Sequence, residues 1–489
     1  MIHITAASRR PGQGANSKSP ETVALSVVLP ISNADRTPAA ASEALATKYD
    51  GRAPRYTSYP TALQFTPAVT AETYRRWLSE LSPLHPVSLY LHIPFCQRLC
   101  WYCGCNTRAV NRREPVRDYV AYLLAELALL EAALPGRLWT KAIHLGGGTP
   151  NMLSADDLGV IFEALRLTFR FKAKVEIAAE LDPSILTQEW VRAAAFHGLS
   201  RASLGVQNLA PEVQAAVNRP ERLVDIARCV CWLREAGVRS VNVDLMYGLP
   251  HQTTANTIET IEAMVRLRPE RLALFGYAHV PWMKTHQKLI DEAALPGPAE
   301  RLEQSEAAAE RLVAEGYVRI GLDHFALPAD DLAQALEAGG LGRNFQGYVT
   351  DPDTTLLGLG ASAIGQLPQG FVQNAGQELE WRSLIARGEL PVTRGVALTA
   401  DDRLRGEIIE QLMCRLKVDL AEVCRRHGRS PLDLAAERAR LAPFIDDGLV
   451  RELGDVVTVT EVGRPIVRFI CTAFDAYFAP QGGRHAKAL

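Results

Sequence analysis

Apolar and polar positions follow two alternating patterns between residues 88 and 315. Six short runs mix apolar with small or β-branched residues and have the length of buried strands, at 88–94, 141–145, 174–181, 201–206, 240–246 and 271–278. Longer stretches between them repeat apolar residues at helical spacing, including 116–134, 156–169, 223–236 and 257–267. The chain therefore predicts strands and helices in alternation.

This alternation predicts an α/β fold. Strands that alternate with helices run parallel and are joined by right-handed crossovers. Six such units within about 190 residues favour an incomplete (β/α)6 TIM-like barrel, which we place at residues 86–370. A doubly wound open sheet is the alternative architecture.

The pattern changes after the barrel. Residues 371–489 predict a smaller, mostly helical C-terminal domain, with helices that include 399–416, 420–427 and 431–441 and a hairpin of 449–453 with 456–460. Thr399 and Asp402 are spaced as a capping box. The order is similar to a winged helix, but neither the acidic stretch 437–447 nor the hairpin carries a basic stripe. We therefore expect a packing or lid domain and no nucleic-acid partner.

Composition narrows the class of protein. The chain has 489 residues, 47% of them hydrophobic, and a formal net charge of −2, which argues against a globally basic nucleic-acid binder. No apolar run approaches the length of a membrane-spanning helix. Residues 1–48 lack periodicity and predict a disordered leader, followed by an N-terminal arm at 49–85. The leader has no apolar centre of signal-peptide type, so we expect a cytoplasmic protein.

Four of the nine cysteines cluster at residues 96, 100, 103 and 105. Cys96, Cys100 and Cys103 form the spacing CxxxCxxC directly after the first predicted strand. Three thiolates can bind three irons of a 4Fe-4S cluster and leave the fourth iron open to a small molecule. Structural zinc, the alternative, usually takes two separated pairs of ligands, and no second pair lies downstream. The motif resembles that of the radical S-adenosylmethionine (SAM) superfamily.

Polar or turn-forming residues stand at the ends of the other predicted strands, where the active site of a parallel barrel lies. The second strand leads into the turn GGGTP at 146–150, which can bring backbone N–H groups close to a ligand. Glu180, Gln207, Asp244 and Ala278 stand at or near the ends of the third to sixth strands. Carboxylates buried there need hydrogen-bond donors, which a ribose diol supplies.

A closer resemblance covers roughly residues 50 to 475. The segments YLHIPFC at 90–96 and CGCN at 103–106, with the arm sequence RYTSYPTA at 55–62, are similar to those of oxygen-independent coproporphyrinogen III oxidases. The likeness continues at 146–150, 218–220 and 244–248, at Ile364 and in the helix 398–414. Related haem chaperones look similar up to Cys103 but usually carry an aromatic residue in place of Cys105.

The resemblance implies the cofactors and their ligands. Cys96, Cys100 and Cys103 correspond to the ligands of a 4Fe-4S cluster. The contacts to the SAM that is cleaved correspond to Tyr90, Gly147, Glu180 and Ile364. A second SAM site is implied, with contacts at Tyr102, Gly148, Thr149, Gln207, Arg219, Asp244 and Ala278. Most relatives have Phe at the position of Tyr102, so its hydroxyl requires a partner in this chain.

The resemblance also implies the reaction. Two propionates of coproporphyrinogen III would be oxidatively decarboxylated to vinyl groups by means of SAM-derived 5′-deoxyadenosyl radicals, giving protoporphyrinogen IX in haem biosynthesis. We expect a monomer that works with an unidentified electron donor and acceptor. A haem chaperone and a porphyrin-directed radical SAM methyltransferase on the same scaffold are the alternatives.

Two further expectations concern single residues. Because the net charge is close to zero, an anionic substrate must be bound by local arginines, and Arg55, Arg219 and Arg343 are the candidates. Taken singly, Arg343 is expected at the solvated surface. Cys105 as a fourth ligand would close the cluster to SAM, so it is expected to be either a small buried thiol or a catalytic or substrate-positioning residue.

Overall fold

The computed structural model describes residues 39–350 and 355–479, with side chains from residue 44 onward. Its helices are α1 Ala39–Lys48, α2 Ala71–Ser79, α3 Glu114–Ala133, α4 Ala155–Thr168, α5 Gln188–His197, α6 Pro211–Ala216, α7 Leu223–Glu235, α8 Thr254–Arg266, α9 Pro298–Ala314, α10 Asp331–Glu337, α11 Glu378–Ala386, α12 Ala400–Arg415, α13 Leu420–Arg426, α14 Ala435–Ala439, α15 Ala442–Asp446 and α16 Val467–Cys471.

The strands are numbered in the same way. They are β1 Val87–Ile93, β2 Phe95–Cys96, β3 Arg108–Ala109, β4 Trp139–Gly147, β5 Arg170–Leu181, β6 Arg201–Gln207, β7 Ser240–Tyr247, β8 Arg271–Gly276, β9 Val318–Ile320, β10 His324–Ala326, β11 Gly342–Asn344, β12 Gly347–Val349, β13 Thr355–Leu359, β14 Ile364–Leu367, β15 Gly370–Asn374, β16 Val392–Ala397, β17 Lys417–Asp419, β18 Val450–Leu453 and β19 Val456–Val459.

One large sheet organises the described chain. It has twelve strands in the order β16-β15-β14-β13-β1-β4-β5-β6-β7-β8-β10-β9. The strands β1, β4, β5, β6, β7 and β8 are successive parallel neighbours with helices between them. Their order follows the chain without the reversal of a doubly wound sheet. The predicted α/β barrel of six units is confirmed, and it is incomplete because the edge strands β9 and β16 do not pair within the described sheet.

The sequence pattern misses a seventh parallel strand, β13, which pairs with the free side of β1. Its sequence TLLGL is short and lies in a glycine-rich segment. A Cβ atom at Gly358 would lie 2.7 Å from the Ile364 carbonyl oxygen, so glycine is needed for the close approach of β14. Glycines of this kind interrupt the apolar alternation by which strands are recognised.

The sheet also continues past the predicted domain boundary at residue 370. The antiparallel strands β14, β15 and β16 extend it as far as Ala397. The helical C-terminal region then begins with α12, where Thr399 Oγ1 accepts from Asp402 N at 3.0 Å and Asp402 Oδ2 accepts from Thr399 N at 2.9 Å. The predicted capping box is therefore confirmed. The predicted hairpin is β18 with β19, and β17 completes a separate three-stranded sheet.

Part of the predicted leader 1–48 is helical. Residues 1–38 lie outside the described residues, whereas α1 covers the end of that segment. Lys48 Nζ and Tyr49 OH each lie 2.5 Å from an oxygen of Asp447, so the C-terminal region holds the end of this helix. Within the described ranges, no helix is long and apolar enough to cross a membrane.

The arm that follows is fixed to the C-terminal region as well. Tyr56 and Tyr59 are buried in its apolar core. Tyr56 OH donates to Asp475 at 3.0 Å, and Arg468 Nε donates to the Pro54 carbonyl oxygen at 2.9 Å. The arm thus connects α16 with the carboxyl edge of the barrel.

Candidate active site at the carboxyl ends of the strands

The clustered cysteines lie in the loop after β1. The short strands β2 and β3 pair in parallel, so this loop folds back on itself. Val110 N donates to the Cys96 carbonyl oxygen at 2.8 Å, and Cys103 N donates to that of Cys100 at 3.2 Å. The thiols of Cys96, Cys100 and Cys103 are all free. The backbone therefore presents three thiols from one compact loop.

Two of these thiols have polar neighbours from other segments. Thr107 Oγ1 and Thr149 Oγ1 each lie 3.3 Å from Cys96 Sγ. Arg219 Nη1 donates to Cys100 Sγ at 3.5 Å. Burial nevertheless raises the pKa of both thiols above the usual value. Binding of a metal to the thiolates would offset that penalty.

Cys105 contacts the third thiol. Its backbone N donates to Cys103 Sγ at 3.4 Å. The hydrogen bond between the two thiol groups is the main reason why the pKa of Cys103 is lowered to about 7. Cys105 itself is exposed, which differs from the expectation of a small buried thiol. No three His, Cys, Asp or Glu side chains of the described ranges converge as they would around one metal ion.

The glycine-rich turn after β4 packs against the start of the cysteine loop. Gly148 N donates to the Ile93 carbonyl oxygen at 2.8 Å, and Thr149 N donates to that of Phe95 at 2.7 Å. A Cβ atom at Gly148 would lie 2.6 Å from the Phe95 carbonyl oxygen. At Gly147, where φ is +107°, a Cβ atom would lie 2.5 Å from the His92 ring. Both positions therefore require glycine.

Glu180 is held on one side and open on the other. Its Oε2 atom accepts from Gly147 N at 3.1 Å, and its Oε1 atom lies 3.0 Å from His144 Nε2. Burial favours the neutral carboxyl, but the hydrogen bond and charge of His144, with the bond from Gly147, lower the pKa of Glu180 below its usual value. The side chain is 40% exposed. The structure thus presents an ionised carboxylate with room for further donors.

Tyr90 lies on β1 and Ile364 on β14, the two strands on either side of β13. Tyr90 OH lies 3.1 Å from His92 Nδ1, and His92 Nε2 lies 2.8 Å from the Asn106 carbonyl oxygen. A carbonyl only accepts, so Nε2 carries the proton and the Tyr90 hydroxyl donates to Nδ1. Tyr90 is paired with Gly358 of β13, against which the Ile364 carbonyl packs. The predicted contacts Tyr90, Gly147, Glu180 and Ile364 thus occupy one edge of the sheet.

Asp244 and Gln207 lie on the next strands of the same edge. Ser203 Oγ donates to Asp244 Oδ2 at 2.7 Å, and Asn242 Nδ2 donates to Oδ1 at 2.7 Å. Burial nevertheless raises the pKa of Asp244 above the usual value for an aspartate. Gln207 ends β6 with a φ of +69°, the left-handed region. A buried carboxyl that already accepts two donors suits a binding role for a hydroxyl-bearing ligand.

Arg219 connects the cysteine loop with the ends of β5 and β6. It donates to the Gly205 carbonyl oxygen at 2.6 Å and lies 3.3 Å from Asp182 and 3.1 Å from Glu221. Burial opposes its charge, but nearby anionic groups raise its pKa well above the ordinary value. The predicted pairing with a substrate carboxylate therefore competes with two carboxylates of the chain itself.

Sequence reasoning missed the loop after β8 that covers the cysteines. Gln287 Nε2 donates to the carbonyl oxygens of Tyr102 at 2.9 Å and of Ala278 at 3.3 Å. His286 Nε2 donates to that of Cys103 at 2.8 Å, and Lys284 Nζ to that of Cys105 at 2.8 Å. These side chains bind backbone atoms about 180 residues away, and no local motif signals such a contact.

The expected surface position of Arg343 is wrong. Its side chain is 7% exposed, and its guanidinium lies 4.5 Å from the centroid of the Tyr348 ring. Arg343 Nη1 is 4.0 Å from Asp323 Oδ1. The strand β11 that carries Arg343 lies under the C-terminal region, where Arg343 N donates to Glu410 at 3.0 Å. Burial here depends on packing between distant segments.

Comparison with known proteins identifies the family to which this fold and site belong. The chain matches the radical SAM superfamily over residues 90–264 and the HemN C-terminal domain over residues 398–466. The oxygen-independent coproporphyrinogen III oxidase of Bradyrhizobium diazoefficiens is 46% identical over 446 residues, which cover 91% of this chain and 99% of that protein. The protein of the same name from Escherichia coli is 38% identical, with 89% and 95% covered.

A solved structure extends the similarity to the fold. It is that of coproporphyrinogen III oxidase (HemN) from Escherichia coli, a radical SAM enzyme. The TM-score is 0.83 at 36% identity, and the match covers 87% of this chain and 98% of that one. Similarity of this degree includes the barrel, the cysteine loop and the C-terminal region together. The chain belongs to the family of oxygen-independent coproporphyrinogen III oxidases.

Proposed function

We propose that the chain catalyses the oxygen-independent oxidative decarboxylation of two propionates of coproporphyrinogen III to vinyl groups, giving protoporphyrinogen IX in haem biosynthesis. The proposal rests on one observation in a member of this family: three free thiols and the partly exposed carboxylate of Glu180 lie at the same edge of the barrel. Radical SAM enzymes use a 4Fe-4S cluster and SAM, and the residues at this edge fit both groups.

Cys96, Cys100 and Cys103 would hold the cluster. They are free thiols in one folded loop, and burial penalises two of them as thiolates in the absence of a metal. Three ligands leave one iron for SAM. Cys105 is exposed beside Cys103, so its proposed place is on the substrate side of the cluster.

The SAM that is cleaved would lie between the glycine turn and β1. Glu180 has two acceptor oxygens, each with one protein donor, and its exposed face can accept from a ribose diol. The turn at Gly147 lets the backbone approach the ligand because no side chain fits there. Tyr90 and Ile364 flank this position on β1 and β14.

The second SAM would lie farther along the same edge. Its proposed contacts meet around the cysteine loop and the ends of β6 to β8: Tyr102, Gly148, Thr149, Gln207, Arg219, Asp244 and Ala278. The backbone of Tyr102 is held by Gln287 Nε2, which donates to the Tyr102 carbonyl oxygen at 2.9 Å. Asp244 provides a carboxyl whose pKa burial raises above the usual value for an aspartate.

The chain's own residues bind, orient and exclude water. When bound and reduced, the cofactors supply a carbon-centred radical able to remove hydrogen from an unactivated C–H bond. The loop of Lys284, His286 and Gln287 donates hydrogen bonds to carbonyl oxygens of the cysteine loop and so fixes its backbone. We further propose a cytoplasmic monomer that works with an electron donor and an acceptor still to be identified.

An anaerobic assay tests the function. Reconstituted, reduced protein is incubated with SAM and coproporphyrinogen III, and tetrapyrroles are separated and identified by mass. Protoporphyrinogen IX is the expected product. Its absence together with stoichiometric haem binding would support the chaperone instead, and a methylated porphyrin would support the methyltransferase.

Cysteine variants test the proposed ligands. Replacing Cys96, Cys100 and Cys103 with Ala should abolish iron binding and the brown absorbance of the cluster. The matched control is Cys231→Ala, because this exposed thiol lies on α7 and bonds only Glu235 among the described residues. Retention of the cluster by the triple variant would refute the assignment.

A further inference from the structure

A small cavity lies where the arm, the ends of β7 and β8 and the C-terminal region meet. Its volume is about 200 Å³. Among the described residues that line it are five arginines and one carboxylate, namely Arg55, Arg301, Arg319, Arg343, Arg468 and Asp323. The cavity therefore has an excess of positive charge in a chain whose net charge is −2. Such a cavity suits an anionic ligand.

Three of the arginines are already engaged. Arg319 lies 2.9 Å from Glu306 in an ion pair, and Arg468 donates to the Pro54 carbonyl oxygen at 2.9 Å. Arg301 is buried and donates to the Tyr277 carbonyl oxygen at 2.8 Å. These arginines form the wall of the cavity and make its electrostatic potential more positive.

Arg343 has a partial partner. Asp323, at 4.0 Å from Arg343, also lies 2.6 Å from His324 Nδ1. The charges of His324, Arg343 and Arg55 outweigh the effect of burial and lower the pKa of Asp323 to about 2. Asp323 is thus ionised, and it is shared among several cations rather than paired with one.

Arg55 is the group left for a ligand. Within the part of the chain that the structure describes, it forms no hydrogen bond and no ion pair, and its side chain is exposed at the cavity. The protein around it is dense enough that burial lowers its pKa from the usual value. A guanidinium that faces a cavity in this way can form its hydrogen bonds with an anionic ligand.

Size identifies the part of the ligand that enters. Pockets that enclose whole drug-sized ligands have volumes of roughly 300–1,000 Å³. At about 200 Å³ the cavity holds a short carboxylate side chain and excludes a tetrapyrrole ring. The lining residues Tyr247 and Gly276 end β7 and β8, so the cavity lies at the carboxyl ends of the strands, as the proposed cofactor contacts do.

We propose that the cavity binds one propionate carboxylate of coproporphyrinogen III, with Arg55 as its bidentate partner and Arg301 and Arg343 behind it. This inference rests on the proposed function. A planar guanidinium matches both oxygens of a carboxylate. Since ion pairing stabilises a carboxylate against loss of carbon dioxide, the site suits a propionate that the reaction retains. Arg55 is therefore a substrate-positioning residue whose contact is equal in the ground and transition states.

The test compares Arg55→Gln and Arg55→Lys with Arg76→Gln, a control on α2 where the arginine side chain is 65% exposed. Arg55 has no hydrogen-bond or ion-pair partner among the described residues, so its replacement should leave folding and cluster content unchanged. In the reconstituted enzyme, Arg55→Gln should raise the KM for coproporphyrinogen III by roughly 10- to 100-fold and leave kcat within about threefold. Arg55→Lys should give an intermediate KM because lysine keeps the positive charge but lacks the planar guanidinium that binds both carboxylate oxygens.

Binding of oxidised coproporphyrin III, followed by fluorescence, separates the two proposals. Arg55→Gln should weaken this binding as it raises KM, and the tetramethyl ester of the porphyrin should bind wild type and variant alike. If turnover proceeds and Arg55→Gln matches Arg76→Gln in KM and in porphyrin binding, the cavity inference is overturned while the function stands. If coproporphyrin III binds through Arg55 but no protoporphyrinogen IX forms, the cavity inference stands and the proposed function fails.

Discussion

Replacing Glu180 with Gln removes one negative charge from the carboxyl ends of the strands and keeps the shape of the side chain. The amide oxygen can retain the bond from Gly147 N, now 3.1 Å from the carboxylate. The amide N–H then faces His144 Nε2, which is 3.0 Å from the other carboxylate oxygen. His144 can accept that bond if its proton moves to Nδ1, an atom without a hydrogen-bond partner among the described residues. We therefore expect a folded variant.

The expected loss is in SAM affinity. Hydrogen bonds to a charged group contribute about 1.5–3 kcal/mol, and those between neutral groups about 0.5–1.5 kcal/mol. A ribose diol can donate two bonds to Glu180, so the change from carboxylate to amide costs about 1.5–3 kcal/mol in total. Because about 1.4 kcal/mol corresponds to a factor of ten, the Kd for SAM should rise roughly 10- to 150-fold.

Equilibrium binding of SAM to the cluster-loaded, oxidised protein under anaerobic conditions measures this effect without turnover. Glu176→Gln is the matched control, because Glu176 lies on the same strand and pairs with Arg201 at 3.0 Å, away from the strand end. It should bind SAM like wild type. A Glu180→Gln protein with normal iron content and an unchanged Kd would refute the assignment of Glu180 to the SAM that is cleaved.

Three further changes test other parts of the structure. Gly148→Ala should displace the cysteine loop, since its Cβ would lie 2.6 Å from the Phe95 carbonyl oxygen, and iron content should fall; Gly159→Ala on α4, with no atom within 4 Å of its Cβ, should retain iron. Burial raises the pKa of Glu126 to about 7, well above the ordinary value of 4.5 for a glutamate. Below about pH 4.5 the carboxyl of Glu126 is protonated in both the folded and the unfolded protein, so it costs no stability there. Between about pH 4.5 and pH 7 the unfolded protein loses this proton and the folded protein keeps it, which favours unfolding. The unfolding free energy of wild type should therefore fall by about 3 kcal/mol relative to Glu126→Gln between pH 4 and 8. A difference that does not vary with pH, measured by chemical denaturation, would contradict this sign. Thr399→Ala should lower the unfolding free energy by about 1 kcal/mol through loss of the α12 cap, and no loss would contradict that role.

The features that the sequence predicts well depend on neighbouring residues. The six parallel strands follow from short apolar runs, and the start of α12 follows from Thr399 and Asp402, three residues apart. The cysteine motif is equally local, because a spacing of eight residues is enough to bring three thiols into one loop. In each case the physical cause lies within about one turn of helix or one loop of the signal.

The features that the sequence does not predict depend on contacts between distant segments. Arg343 is polar and follows a glycine, and packing of β11 under the C-terminal region buries it. Gln287 reaches the cysteine loop across 185 positions of sequence. The strand β13 is recognisable only beside β1, since its glycines serve the approach of β14. No periodicity or motif encodes these pairings.

The arm links the C-terminal region to the proposed substrate site. Tyr56, next to Arg55, has a φ of +47°, a conformation that costs a bulky residue about 1–2 kcal/mol. The hydroxyl of Tyr56 donates to Asp475, and Arg468 of α16 binds the carbonyl oxygen of Pro54, so both sides of Arg55 are held by the C-terminal region. These bonds offset the strain and fix the backbone from which the Arg55 side chain extends. A region expected to pack or to act as a lid therefore holds the segment that carries the arginine proposed to bind the substrate.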